Sequence, residues 1–167
     1  MGVRGPFVPT WDDFFMAQVG ASAALAGLLF VGLSINLPKI LANRSLPDRA
    51  EKALAVLVLI LFESSLFLIP DQSATAFGTE LLVTGLGGGG LVLLLSYTVL
   101  RDADPPYRRP ARAELGYATA VVALYVLGGA LTVVGSPYGT FPFVPAVLLS
   151  YLTALLDAWV LLVEINR

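Results

Sequence analysis

An all-α bundle of transmembrane helices is the fold class that this sequence predicts, and three observations carry it. Of 167 residues, 57% are hydrophobic and only 13% are charged, about half the charge of an ordinary soluble domain. The apolar residues fall in long runs, each close to the ~20 that a helix needs to cross ~30 Å of hydrocarbon. The basic residues gather in alternate connections between those runs, as they do in polytopic membrane proteins. The whole chain, 1–167, reads as a single transmembrane domain.

Five spans follow in order. The first is Phe14–Leu37 (FFMAQVGASAALAGLLFVGLSINL), expected to end at Pro38. The second is Ala53–Ile69, ended by Pro70, and the third is Glu80–Leu100. The fourth, Leu115–Val134, and the fifth, Phe143–Ile165, are parted by GSPYGTFPF, whose prolines and glycines signal a break. Lys39, Arg44, Arg49 and Lys52 follow the first span, and Arg101, Arg108, Arg109 and Arg112 follow the third. The connections after the second and fourth spans carry no lysine or arginine. This asymmetry puts the basic connections in the cytoplasm, the N-terminus outside and the C-terminus inside, as an odd number of spans requires. Arg101–Glu114 (RDADPPYRRPARAE) reads as a short cytoplasmic connector, and Trp11 as an outer interfacial anchor.

Composition also removes chemistries. Cysteine and histidine are both absent, which excludes disulfides, thiolate nucleophiles and the commonest metal and haem ligands. No catalytic constellation stands out, so the chain is expected not to be an enzyme. Neither a metal nor a cofactor is expected, and nothing points to nucleic acid.

Helices in lipid associate through small residues and interhelical hydrogen bonds. On the first span Gly20, Ala23, Ala24, Gly27, Val31 and Ser34 share one face, while Gln18, Ser22 and Asn36 fall opposite. A helix with two such faces is expected to be central. Gly78, Gly85, Gly89 and Ser96 line up on the third span, and Tyr125, Gly128, Gly129 and Thr132 on the fourth. The packing candidates are Gly20, Ala24, Gly27, Gly85, Gly89 and Gly128. The run Gly87–Gly90 lies inside an apolar span with no basic residue near it, so it reads as helix packing and not as a phosphate loop.

Two acids interrupt the apolar runs. Asp157 lies in the fifth span, and at 3.6 residues per turn Ser150, Thr153 and Glu164 fall on its face. A charged acid at the bilayer centre costs roughly 2.5–3.5 kcal/mol on insertion scales. No base is expected at its depth, which leaves a neutral form, a water-filled cavity or a bound cation, with Tyr125, Gln18 or Asn36 as possible hydrogen-bond partners. Glu63 is the second acid, toward the outer end of the second span. Asp12, Asp13, Asp71 and Glu80 also fall near that surface. Asp157, Glu63, Ser150, Thr153 and Glu164 are therefore the candidates for an ion or proton path.

The segment ASAALAGLLFVGLSINL (Ala21–Leu37), with LIPDQS and FGTELLVTG further on, resembles a group of small bacterial integral membrane proteins of actinobacterial type with no assigned function, some labelled as modulators of a membrane protease. The likeness covers about the first half of the chain. It implies a multi-pass protein of the bacterial plasma membrane and carries over no site residues. The expected function is non-catalytic, through helix–helix association as a homo-oligomer or as an accessory to a larger membrane complex. The alternative is an oligomeric proton or cation channel that uses Asp157 and Glu63.

Overall fold

The computed structural model describes residues 11–42 and 46–165, and of Glu164 and Ile165 the backbone alone. Five long helices make up almost all of it, with no strand among the described residues: α1 Trp11–Ala42, α2 Leu46–Leu66, α3 Ala74–Arg101, α4 Arg108–Val133 and α5 Phe143–Ile165. Four of them, α1, α3, α4 and α5, are long and apolar enough to cross a membrane. Helix α2 differs because its first two turns carry Asp48, Arg49, Glu51 and Lys52.

Helices α1 to α4 start earlier than hydropathy predicts, while α5 starts at Phe143 as expected. Polar first turns look like loop, yet they carry helix-start chemistry. Pro47 and Asp48 open α2; proline suits a first turn, and an acid there suits the helix dipole. Ser73 caps α3 by accepting the Ala76 N–H at 3.2 Å. The expected Arg101–Glu114 connector shrinks to Asp102–Tyr107, a short 3-10 turn included, because α4 is already helical at Arg108. Helix α1 also continues through Pro38 to Ala42. Its last turn is held by packing, for Ile40 is buried with Leu46, Ala50 and Leu161. At the end of α4, Gly135 takes a positive φ of 71°, and the Ser136 N–H returns to the Leu131 carbonyl at 2.9 Å.

Helices α2, α3, α4 and α5 form a closed ring in which each packs on the next and α5 returns to α2. Helix α1 lies outside the ring, against α2 with a light touch on α5. It is therefore peripheral where the two-faced pattern predicts a central helix. Only Phe15, Ser22 and Ile40 of α1 are buried. Phe15 stacks on Phe67 with centroids 3.6 Å apart, and Phe67 meets Phe77 and Phe143 edge-on at 4.8 and 5.0 Å. These rings close one end of the bundle, here the aromatic end. Lys39, Arg101, Arg108, Arg109 and Arg112 lie on helix turns at the other, basic end. Phe30, Ile35, Leu86, Leu94, Leu156 and Trp159 are exposed along the outside, an apolar belt that suits hydrocarbon.

Small residues set the closest helix approaches. A Cβ on Gly89 would lie 2.9 Å from both methyls of Val122, one on Gly128 would run into the Phe143 ring, and one on Gly78 would meet the backbone of Val133. Backbone cannot rotate aside as a side chain can. Gly78→Ala is therefore expected to lose about 1–3 kcal/mol of stability and to lower the unfolding midpoint in dilute mild detergent. Gly20→Ala and Gly27→Ala, whose added methyls meet nothing within 4 Å, leave that midpoint unchanged or slightly higher.

Candidate functional site

The ring interior is an apolar core into which every ring helix sets polar side chains. At the basic end Arg49 and Lys52 stand three residues apart on α2 and therefore share a face. Asp157 Oδ1 is 3.1 Å from Arg49 Nη1, and its Oδ2 is 3.0 Å from Lys52 Nζ. Glu114 of α4 completes the set: its Oε2 is 3.4 Å from the same Arg49 nitrogen, and its Oε1 pairs with Lys52. Each acid meets both bases, so two positive and two negative charges close a balanced cluster. Lys52 and Asp157 are each 2% exposed, so the attraction acts with little solvent screening.

This arrangement answers the question posed by a lone aspartate. The sequence reading puts no base at the depth of Asp157, because Arg49 and Lys52 look like loop residues. The early start of α2 makes them helical and aims both inward. Two of the expected hydrogen-bond partners are engaged elsewhere: Tyr125 Oη lies 3.4 Å from Ser150 Oγ, and Asn36 Nδ2 donates to Gly32 O at 2.9 Å; the main-chain carbonyl of Gln18 accepts from Tyr151 Oη at 3.0 Å.

The stripe on α5 does face the interior. Ser150 and Asp157 are buried, and Thr153 lines a cavity of about 10 Å³ with Lys52, Val56, Val92, Ser96, Glu114 and Ala118. That space suits about one water molecule. The side chain of Glu164 lies outside the described residues. Toward the aromatic end, Glu63 is 0% exposed and accepts a hydrogen bond from Thr84 Oγ1 at 2.8 Å. It sits eleven positions beyond Lys52 on α2, about 16 Å along the axis at 1.5 Å per residue. Glu63 and Asp157 thus occupy two separate sites.

The small-residue candidates divide in the same way. Gly85 lies between Glu63 and Tyr125, Gly89 against Val122, and Gly128 against Phe143. Gly20 and Gly27 meet nothing within 4 Å, and Ala24 is exposed. The face of α1 turned to the bundle is the polar one: Ser22 is buried and donates to the Gln18 carbonyl at 2.7 Å.

Arg49, Lys52, Glu114 and Thr84 are the site residues that sequence reasoning missed. The signal for the two bases was present in Pro47–Asp48, a helix start just ahead of a base pair at i, i+3 spacing. Compared with known proteins, the chain matches no family model, no curated protein sequence and no solved structure.

Breaking a buried ion pair from one side leaves a charge stranded and costs about 3–5 kcal/mol. Lys52→Met and Asp157→Leu are each expected to destabilise the protein by that order. The double variant, which leaves Arg49 paired with Glu114, is expected to lose clearly less than the sum of the two. A double-mutant cycle from unfolding in mild detergent measures this, and simple additivity would contradict coupling within the cluster.

Proposed function

We propose that the chain is a five-span, non-catalytic membrane protein that acts by lateral helix association, with the α2–α5 ring as a fixed body and α1 as its contact helix. The observation that carries this reading is the outward face of α1, where Gly20, Ala24 and Gly27 stand open on a helix that buries only three side chains. Lipid tails fill such a shallow face less well than a second helix does, and small residues let two backbones approach closely. The first occupant of that face is a second copy of the chain, which makes the unit a homo-oligomer; an accessory place in a larger membrane complex uses the same surface.

Helix α2 is the fifth span in this reading. Arg49 and Lys52 of its charged first turns are paired with Asp157 and Glu114 of neighbouring helices, and Glu51 is exposed at the basic end. The common end of Lys39, Arg49, Lys52, Arg101, Arg108, Arg109 and Arg112 supports a cytoplasmic basic end. The N-terminus is then outside, the C-terminus inside, and the bacterial plasma membrane is the setting. A cation path through Asp157 is the weaker reading, since both carboxylate oxygens face the cations Arg49 and Lys52.

The test is stoichiometry in lipid. Single-molecule photobleaching in nanodiscs or liposomes is expected to give assemblies of two or more copies for the wild type. Gly20→Ile with Gly27→Ile is expected to return single copies with an unchanged unfolding midpoint. Single copies for the wild type, with no copurifying partner, would rule out association.

A further inference from the structure

Glu63 is buried, and no base stands near it among the described residues, in contrast to Asp157. We propose that Glu63, with Thr84, forms a proton-binding site served from a groove at the aromatic end of the bundle. The argument begins with one hydroxyl. Thr84 Oγ1 lies 2.8 Å from Glu63 Oε1 and also 2.8 Å from the Glu80 carbonyl one turn back on its own helix. A hydroxyl has one proton to donate and lone pairs to accept with. With Glu63 ionised, Thr84 donates to the carboxylate. With Glu63 protonated, the acid donates to Thr84 Oγ1, which donates onward to the Glu80 carbonyl. Either protonation state finds a partner without movement of a helix.

Among the described residues the surroundings bring no competing charge. Helix α3 adds Gly85, where a Cβ would come within 3.4 Å of Glu63 Oε1. Its Glu80 is exposed and accepts from Gln72 Nε2 at 2.8 Å. Helix α4 brings Tyr125, a phenol engaged with Ser150. Helices α1 and α5 bring the rings of Phe15 and Phe143, packed on Phe67 one turn beyond Glu63. The bases on α2 itself, Arg49 and Lys52, are committed to Asp157 and Glu114.

Access runs through Thr84. It lines an open groove of about 650 Å³ with Leu66, Ser73, Thr75, Thr79 and Glu80 among its walls. Hydronium in the groove gives a proton to Oγ1 while Oγ1 passes its own to Glu63, leaving water, an intact hydroxyl and a neutral acid. A metal ion fits less well. One carboxylate and one hydroxyl fall short of the six or more oxygens that a hard cation such as calcium takes, and no cluster of three candidate ligands occurs among the described residues. Glu63 Oε2, buried and without a hydrogen-bond partner among the described residues, is the second position a proton can occupy.

Dicyclohexylcarbodiimide tests this on the full chain in liposomes, because it modifies protonated carboxyl groups in apolar surroundings. Peptide mapping across a pH series is expected to find the adduct on Glu63, with a yield that falls about tenfold per pH unit above its midpoint, as one titrating group requires. Infrared difference spectra between acidic and alkaline buffer supply a readout free of reagent: a protonated-carboxyl band present in the wild type and lost in Glu63→Gln. A titrating Glu63 adduct or a Glu63-dependent band supports the site. Absence of both, in protein whose assembly and unfolding midpoint are normal, overturns it.

Discussion

The fold depends on how four charges are kept away from lipid. An isolated charge in hydrocarbon is costly, and one acid with one base still leaves donors and lone pairs short. Here two acids and two bases are shared crosswise, so each carboxylate meets both cations. Such a cluster adds little net stability over a well-packed apolar core, but it makes any other arrangement of its helices expensive. It joins α2 to α5 along the ring and to α4 across it. Since α2 and α4 do not pack backbone to backbone, side chains tie that diagonal, these charged ones together with the apolar core.

The position of α1 follows. Arg49 and Lys52 share the face of α2 that turns into the ring, while Glu51, Val58 and Phe62 of the same helix are exposed. Helices α3, α4 and α5 close the ring with it, and no interior position remains for α1. It docks on the outside through the Phe15–Phe67 stack and the Gln18 carbonyl. The polar edge of α1 turns inward, where Tyr151 can donate to it, and its small residues turn outward. A smooth, small-residue face on the periphery is where lateral association in a bilayer has least to displace.

The bundle as a class was legible in the sequence because it rests on long apolar runs, and the inward stripe of Ser150, Thr153 and Asp157 was legible because helical periodicity is local. The charge cluster was not. Hydropathy treats Arg49 and Lys52 as loop because they are polar, and only the pairing with Asp157, more than a hundred positions away, gives them a reason to enter the helix. The same holds for Glu114, which the sequence assigns to a connector. The role of α1 was misjudged for a related reason: periodicity separates a polar face from a small one, but only the closure of the ring decides which of them turns outward.

The two buried acids on opposite sides of one apolar stretch have opposite electrostatic settings, and that contrast argues for different roles. Between Lys52 and Glu63, α2 reads ALAVLVLILF, with no ionisable side chain. At the basic end, both carboxylates face the cations Arg49 and Lys52. At the aromatic end a carboxyl stands without a counter-charge among the described residues, beside a hydroxyl that can serve it in either state. If structure alone were at stake, a glutamine at position 63 would bond Thr84 without the burden of a buried acid. What a carboxyl offers there beyond a glutamine is the capacity to take up and release a proton.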